Sequence, residues 1–408
     1  MVEISPNGSA AGGGAGQSSR PGRLNPRLAA FVLLVAGTAI ALLMVEFGLR
    51  IAGVQYDASL YAYSRATGWT LRPNANGWWV SEGHAYAWIN SGGMHDDREF
   101  PVQKPAGTVR IAVLGDSMTA AVQVDAKDTF SRVAERKLAE CGGFSGRKVE
   151  VLNFGVPGFG TAQELIDYRT RVAQYNPDFV VVAVLTYNDI ANNYRELNPV
   201  DADKSPYFLL QDGRLVLDDA FASRSSRYAG ARDILGNLAN RSRVVQLLAQ
   251  ALVRGLLFRS AKVAESEAIV RRFGPAPENF IYAPPLRPET TAAWQVTEAI
   301  LEQLNKEVAA HGSRFLMVTL SHFPQHLPRA EREAAVKKMN IEDLYYPDRR
   351  LEAFAKAHGI PSLILVDRLR DYSDRTGDHI SYGNGHYNPT GHREVGAALA
   401  ERLCQLAQ

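Results

Sequence analysis

The 408-residue sequence has only two cysteines, Cys141 and Cys404, and no excess of charge of either sign. Two cysteines are too few for a disulfide-dense miniprotein or a cysteine-ligated zinc site. Lys and Arg total 45 against 43 Asp and Glu, so no basic excess is present to bind phosphates and a nucleic-acid partner is not expected. With 46% hydrophobic residues, the chain is expected to fold as a globular protein.

Metal-binding patterns are also lacking. No H-E-x-x-H or paired Cys/His spacing occurs, and His322, His326 and His379, together with Asp378, do not have the spacing of a metal site. We interpret these histidines as exposed loop residues, and His392 as a residue that caps or packs in the first turn of the last helix. The sequence therefore predicts chemistry without a metal or other cofactor.

One long uncharged hydrophobic run is present near the N-terminus. As a helix, residues 28–45 are about 27 Å long, close to the thickness of a bilayer core. We predict a transmembrane anchor over residues 28–47, after a disordered tail over residues 1–27 that is rich in Gly, Ala and Ser. Arginines in this tail place the N-terminus in the cytoplasm, so the rest of the chain is expected outside it, in the periplasm of a Gram-negative cell. A cleaved signal peptide is the alternative.

Beyond the anchor, short β-branched runs alternate with stretches of helical spacing, a pattern typical of an α/β domain. Five runs are apolar almost throughout, as in strands buried on both faces, and predict a five-stranded parallel sheet in a three-layer doubly wound sandwich. The predicted strands are Arg110–Gly115, Val149–Asn153, Asp178–Thr186, Arg314–Leu320 and Ser362–Asp367. The predicted helices are 128–142 with Asp128 as N-cap, 162–175, 291–310, 351–358, and 389–406 with Asn388 as N-cap.

The predicted α/β domain covers residues 105–408 and follows a linker and N-terminal extension over residues 48–104. A stretch from about residue 196 to residue 288 interrupts the alternation of strands and helices, and we interpret it as an insertion. It contains an Asp-Gly pair between two apolar runs, which predicts a β-hairpin. Its apolar segment 242–258 has a polar stripe. We interpret this segment as a helix packed on the domain, with contact to a membrane surface as the alternative.

Polar residues follow the predicted strands at the edge where open α/β sheets bind ligands. Ser117 follows the first strand in Gly-Asp-Ser, Gly158 follows the second, Asn188 follows the third beside Asp189, and His386 follows the fifth. A serine hydroxyl needs a base to take its proton, and the oxyanion formed by its attack on a carbonyl needs hydrogen-bond donors. Residue types of this kind at one edge of the sheet are compatible with a serine nucleophile and its supporting groups, and the backbone N–H of Ser117 at the helix entrance can act as an oxyanion donor. Asp189 is interpreted as structural.

These blocks, in this order, resemble the SGNH or GDSL hydrolases, a family named for a Ser, Gly, Asn and His in separate blocks. The resemblance implies Ser117 as nucleophile, Gly158 rather than Gly155 as backbone donor, Asn188 as side-chain donor and His386 as base. Relatives of this fold modify acylated polysaccharides, so the resemblance implies an ester-bearing substrate such as an O-acetylated glycan of the cell envelope. A lipid ester and a peptidoglycan acyl group are the alternatives, and either water or a sugar hydroxyl can take up the acyl group.

The sequence departs from the family pattern beside the histidine. The family places an Asp two or three residues before the His, whereas this chain has Asn384 and Gly383 there. Three arrangements stay open: the Asn384 carbonyl orients His386, an Asp from the loop after the fifth strand supplies the acid, or the site binds without turnover. The candidate aspartates are Asp378, Asp374 and Asp371. We predict the first arrangement, in a membrane-anchored serine esterase. The alternative is a non-catalytic or acyl-transferring protein that binds or assembles polysaccharide.

The two cysteines fall near the C-terminal ends of the first and last helices of the predicted domain. These helices tend to lie side by side on one face of a doubly wound sheet of this type. A disulfide between Cys141 and Cys404 and two separate buried thiols are both open, and an oxidising compartment outside the cytoplasm permits the bond.

Overall fold

The structure is a computed structural model, and it describes residues 1, 25–144, 146–198, 201–222, 229–252, 277–383 and 385–408. The chain divides into two units, residues 1–52 and residues 53–408.

The first unit contains one long helix, Pro26–Ile51 (α1), which is longer at both ends than the predicted span of 28–47. The helix begins after Asn25, whose side chain accepts the backbone N–H of Arg27. The helix has 26 residues and a mean hydropathy of 2.7 in its most apolar part, so it is long and apolar enough to cross a membrane. A signal sequence has the same properties. Most of the predicted disordered tail lies outside the described residues.

The second unit has the α/β organisation that the sequence predicts. Its strands are β1 (Tyr61–Ser64), β2 (Gly68–Leu71), β3 (Asn76–Trp79), β4 (Ala85–Trp88), β5 (Thr108–Gly115), β6 (Lys148–Asn153), β7 (Phe179–Leu185), β8 (Tyr207–Gln211), β9 (Arg214–Asp218), β10 (Arg314–Leu320) and β11 (Ser362–Ile364). The described α-helices that follow α1 are α2 (Ser117–Ala120), α3 (Phe130–Leu138), α4 (Thr161–Asp167), α5 (Asp189–Asn192), α6 (Ala229–Arg241), α7 (Arg243–Leu252), α8 (Pro288–Ala310), α9 (Arg329–Met339), α10 (Tyr346–Ala357), α11 (Val366–Thr376) and α12 (Pro389–Ala407).

The predicted five-stranded parallel sheet is confirmed. Its order is β11-β10-β7-β5-β6, and each neighbouring pair is parallel. One core joins the sheet to α4, α8 and α10, and contains Leu165, Trp294 and Leu351. The other joins the opposite face to α3 and α12, and contains Phe130 and Leu399. The sheet is therefore covered on both sides, which explains why its strands are apolar almost throughout.

Several predicted boundaries differ from the structure; the helix predicted over 351–358, for example, begins at Tyr346. Two of the differences have a clear physical reason. The N-cap of α3 is Thr129, whose side chain accepts the Arg132 N–H, whereas Asp128 ends a preceding 3₁₀ turn. The fifth strand ends at Ile364 rather than Asp367, and α11 follows it directly. The apolar Val366 and Leu369 lie three residues apart on the buried side of that helix, a helical spacing that the strand prediction overlooked.

Residues 53–104 form two antiparallel hairpins, β1–β2 and β3–β4, over a small core that also includes Val122. In the insertion, the predicted hairpin is present as β8–β9, and its turn residues Asp212 and Gly213 have positive φ angles of 49° and 74°. The predicted helix over 242–258 is described only as far as α7. Residues 253–276 lie outside the described residues, and the choice between packing on the domain and membrane contact stays a prediction.

The two cysteines form a disulfide. Cys141 follows α3 and Cys404 lies in the last turns of α12, and their Cα atoms are 6.0 Å apart. The bond joins the first long helix of the domain to the last one, across 263 residues of chain.

Candidate active site

The nucleophile candidate lies where β5 ends. Asp116 caps the short helix α2 by accepting the Met118 N–H at 2.8 Å, and Ser117 is the first residue of that helix. A Cβ on Gly115 would lie 2.1 Å from Thr119 Oγ1, so only glycine fits this tight passage from strand to helix. The turn presents the Ser117 hydroxyl at the carboxyl edge of the parallel sheet.

The base candidate reaches this hydroxyl from the loop between α11 and α12. His386 Nε2 lies 2.8 Å from Ser117 Oγ, although the two residues are 269 positions apart. The loop is closed by hydrogen bonds from the Tyr382 N–H to the His386 carbonyl and from the Gly385 N–H to the Tyr382 carbonyl. The structure thus brings together the serine and the histidine predicted from the sequence.

The second ring nitrogen of His386 contacts a residue that sequence reasoning missed. Nδ1 hydrogen-bonds Glu82 Oε2, and the backbone N–H of His386 donates to Glu82 Oε1 at 3.3 Å. The Glu82 side chain is only 7% exposed. It comes from the turn between β3 and β4, 304 positions before the histidine, where no local motif pointed to it.

The residues predicted to orient the imidazole lie elsewhere or are not described. Asn384 lies outside the described residues, and its role stays a prediction. Asp378 is exposed and accepts a hydrogen bond from Tyr372 at 3.4 Å. The expected loop aspartates Asp371 and Asp374 belong instead to α11, where they pair with arginines at 3.0 Å and 2.8 Å.

The backbone N–H groups of Ser117 and Gly158, two of the predicted oxyanion donors, have no acceptor among the described residues. Gly158 has φ +82°, and its loop is held by Trp69, whose indole N–H donates to the Pro157 carbonyl at 2.9 Å. The N–H of Gly155, in contrast, donates to Asn153 Oδ1 at 3.0 Å. The availability of its N–H favours Gly158 over Gly155 as an oxyanion donor.

Asn188 precedes α5 and connects to the nucleophile turn. Its amide Nδ2 donates to Asp116 Oδ2 at 3.2 Å, and the second amide hydrogen has no acceptor among the described residues. The amide can therefore offer one hydrogen to an oxyanion while the other hydrogen fixes its orientation.

Three buried carboxyl groups lie on the turn and helices that carry the site. Burial raises the pKa of Asp116, and raises the pKa of Glu164 and Asp189 well above the usual range; their mutual repulsion raises the last two further. Asp189 Oδ2 accepts the Leu185 N–H at 2.8 Å, which agrees with a structural role, whereas neither Glu164 oxygen has a partner among the described residues. Raised pKa values limit the negative charge that would oppose an oxyanion nearby.

A cleft of about 580 Å³ adjoins these loops. Tyr187, the neighbour of Asn188, lines it and stacks on His322 with ring centroids 3.8 Å apart. Phe323 also lines it and approaches Gly385, the neighbour of the base. Burial lowers the pKa of His322 to about 3, so this ring is neutral at physiological pH.

Of the other histidines that the sequence analysis singled out, His379 is exposed, as expected, and lies 3.1 Å from Glu331, whereas two have packing roles. His326 is buried and lies 2.9 Å and 2.6 Å from the hydroxyls of Ser321 and Ser381, so the interpretation as an exposed loop residue is wrong for this histidine. His392 is buried and stacks on Phe130, as the packing interpretation expects. In the part of the chain that the structure describes, no group of three or more His, Cys, Asp or Glu could hold a metal ion.

Comparison with known proteins gives one family and several solved structures. Residues 111–254 match the model of the GDSL-like lipase/acylhydrolase family, and no curated protein matches the chain. An acetyl xylan esterase, AlAXEase, is 11% identical, covers 71% of this chain and 98% of its own, and has a TM-score of 0.37. A catalytic mutant of the acetylxylan esterase Axe2 from Geobacillus stearothermophilus is 9% identical, covers 72% of this chain and 94% of its own, and has a TM-score of 0.36. CEX, a two-domain esterase active on acetylated mannans, is 10% identical, covers 74% of this chain and 50% of its own, and has a TM-score of 0.37. The strand order, rather than these low scores, defines the fold.

Proposed function

We propose that this chain, whose residues 111–254 match the GDSL-like lipase/acylhydrolase family model, is a serine esterase that cleaves ester-linked acyl groups through an acyl-enzyme on Ser117. The observation that carries the proposal is the 2.8 Å contact between Ser117 Oγ and His386 Nε2. Proton transfer needs this separation. We assign the oxyanion donors to the Asn188 amide and to the N–H groups of Ser117 and Gly158, which have no acceptor among the described residues.

In the first half of the reaction, Nε2 of His386 takes the hydroxyl proton while Ser117 Oγ bonds to the ester carbonyl carbon. The carbonyl π pair moves to its oxygen, and the oxyanion accepts hydrogen bonds from the donors of Ser117, Gly158 and Asn188. When this pair returns, the bond to the leaving alcohol breaks, and the alcohol takes the proton from Nε2. Water then adds to the acyl-enzyme with its proton passing to Nε2, and collapse returns that proton to Oγ and releases the acid.

The proposed substrate is an O-acetylated polysaccharide of the cell envelope. The face of the β3–β4 hairpin that turns away from the buried Ala85 and Ala87 carries aromatic rings in mutual contact. Trp78 and Tyr86 have ring centroids 5.5 Å apart, and Tyr86 and Trp88 have centroids 5.1 Å apart. Trp88 is 47% exposed. Exposed rings of this kind pack against the apolar faces of sugars while their edges stay hydrated.

The proposed location is the outer face of a membrane, with α1 as the anchor and residues 53–408 outside the cytoplasm. The length and hydropathy of α1, and the arginines before it, support an anchor with a cytoplasmic N-terminus. The Cys141–Cys404 disulfide supports an oxidising compartment. Protease treatment of spheroplasts, followed by N-terminal sequencing of the membrane fraction, should find residues 53–408 accessible and α1 retained. An N-terminus beyond Ile51 would show a cleaved signal sequence instead.

The activity is tested with p-nitrophenyl acetate and a fluorophosphonate probe on the wild type, Ser117→Ala and the control Ser373→Ala, a buried serine on α11. We expect hydrolysis and labelling in the wild type and the control, and neither in Ser117→Ala. Equal labelling of all three proteins, or labelling of none, would reject the proposal.

Acetylated xylan and mannan, the substrates of the esterases compared above, are the first polysaccharides to test for acetate release. Trp88→Ala should raise KM for an active polysaccharide and leave kcat/KM for p-nitrophenyl acetate unchanged. An equal effect on both substrates would contradict a sugar-binding role for the aromatic face. Acetyl transfer to an added sugar, in place of acetate release, would identify a transferase.

A further inference from the structure

The contact between His386 and the β3–β4 turn fixes the chemical state of the imidazole. An ionised Glu82 carboxylate has only acceptor atoms, so Nδ1 must donate to it and carry the ring proton. The neutral ring then has its lone pair on Nε2, the atom that faces Ser117 Oγ at 2.8 Å. The second carboxylate oxygen accepts the backbone N–H of His386, so one side chain holds both the ring and its loop.

The turn that carries Glu82 is itself held in place. The Asp57 carboxylate accepts the N–H groups of Val80 and Ser81 at 2.7 Å and 2.9 Å, directly before the glutamate. Directly after it, Gly83 has φ +66°, and a Cβ there would lie 2.3 Å from the Gln123 carbonyl oxygen. The turn thus packs closely against the segment that follows α2, and at position 83 a residue larger than glycine would not fit.

We propose that Glu82 is the third member of a Ser117–His386–Glu82 triad, and that the N-terminal extension supplies the acid which the histidine block lacks. This inference rests on the proposed esterase function and deepens it. Glu82 acts as a positioning residue: it neither gives nor takes a proton, holds the Nδ1–H tautomer, and places a negative charge beside the imidazolium that forms when His386 takes the serine proton. The side chain is nearly buried, so water screens this charge only weakly.

The assignment accounts for the missing aspartate. The aspartates that follow the fifth strand have other partners than His386. Asp374 forms an ion pair with Arg332, and Asp378 accepts a hydrogen bond from Tyr372 on the surface. A carboxylate also serves the imidazolium better than an amide carbonyl from Asn384 would, because the amide carries no charge. Glu82 lies outside residues 111–254, the part of the chain that matches the family model.

The test compares Glu82→Gln and Glu82→Asp with two loop variants, Asn384→Ala and Asp378→Asn. Exchange of acid for amide in a serine triad lowers kcat about 10⁴-fold, and we expect a loss of about 10² to 10⁴ in kcat with KM for p-nitrophenyl acetate nearly unchanged. Glu82→Asp should recover part of this loss, because it restores the charge on a shorter arm. Asp378→Asn should stay within about threefold of the wild type, on the scale of one ordinary surface substitution. Asn384→Ala tests the alternative in which the amide orients His386, and it should lose far less activity than Glu82→Gln.

A proton NMR measurement separates positioning from general damage to the fold. The wild type should show a low-field signal from the Nδ1–H that His386 shares with Glu82, and Glu82→Gln should lose it while keeping the thermal unfolding midpoint of the wild type. Glu99→Gln is the matched control, because Glu99 is an exposed glutamate of the same extension whose acceptor oxygens, among the described residues, contact Ser91 alone. It should keep both the signal and the activity.

Each outcome decides one of the two proposals. Full activity in Glu82→Gln, or a loss in Asn384→Ala as large as that in Glu82→Gln, would overturn the triad assignment. If Glu82→Gln and Glu82→Asp both unfold, the signal in the folded wild type decides, and its absence overturns the assignment. Failure of the probe to label wild-type Ser117 would overturn the esterase function instead, and a low-field signal would then show only that Glu82 holds the ring.

Discussion

Replacement of Asn188 by alanine separates the effect on catalysis from the effect on stability, because the amide group has two hydrogens with different roles. One amide hydrogen is bonded to Asp116 Oδ2, and the other is free to reach an oxyanion. The backbone donors of Ser117 and Gly158 would remain, so the variant loses one donor of three. Loss of one such donor costs about 2.7–4 kcal/mol of transition-state stabilisation, or about 10² to 10³ in kcat.

The cost in folding free energy is expected to be smaller. Asp116 loses one hydrogen bond but keeps the Met118 N–H on its other oxygen, so about 1 kcal/mol is expected, at the low end for a buried acceptor that loses a partner. Steady-state kinetics with p-nitrophenyl acetate and urea unfolding measure the two effects on the same protein. Asn192→Ala, in the same short helix α5, is the matched control and should change neither by much. A loss of less than tenfold in kcat for a folded Asn188→Ala would refute its role as an oxyanion donor.

Three further predictions follow from the structure. Cys141→Ser with Cys404→Ser should lower the free energy of unfolding by about 2–5 kcal/mol in urea titration, and two free thiols in the unreduced, unfolded wild type would contradict the disulfide. Burial raises the pKa of Glu164 in the folded chain, so its contribution to the free energy of unfolding falls as pH rises above about 4.3. Glu164→Gln should therefore gain stability relative to the wild type as pH rises. Melting temperatures of the two proteins that change in parallel with pH would disprove this. Gly158→Ala puts a Cβ at a residue with φ +82° and 3.3 Å from the Trp69 ring, which should shift the loop and its N–H. We expect kcat to fall about tenfold or more. Unchanged kinetics would show that the Gly158 N–H is not used.

The five strands of the parallel sheet were predictable because burial on both faces leaves a clear pattern in sequence. Runs such as Phe179–Leu185 are apolar at every position, and only a covered parallel sheet tolerates that composition. Boundaries were less predictable where two periodicities overlap. Ser362–Asp367 is apolar enough for a strand, yet only three residues pair with β10 before the helical spacing of α11 begins. The pairing length at a sheet edge depends on tertiary contacts that the local sequence does not contain.

The proposed nucleophile was predictable from its position at a strand end and the proposed base from the family resemblance of its loop, whereas the partner of the base was not. Ser117 directly follows β5 at the carboxyl edge of the sheet. His386 lies beyond α11 and reaches that edge through its loop. Glu82 lies in a turn between two strands of four residues, and a single glutamate in a turn is ordinarily a solvated surface residue. The one available signal was the unusual density of aromatic residues on both sides of it, which indicated a packed hairpin but no chemistry.

The contacts of the N-terminal extension explain why a hairpin distant in sequence can serve the catalytic edge of the sheet. Trp69 of β2 holds the Pro157 carbonyl directly before Gly158, and Glu82 holds the ring and the backbone N–H of His386. One hairpin therefore positions the proposed backbone donor and the other positions the proposed base, while the sheet positions the proposed nucleophile. Accurate catalysis requires each of these groups to be held by a rigid neighbour. A domain boundary drawn at the start of the family match, residue 111, would remove both supports and leave the nucleophile turn without its oriented base.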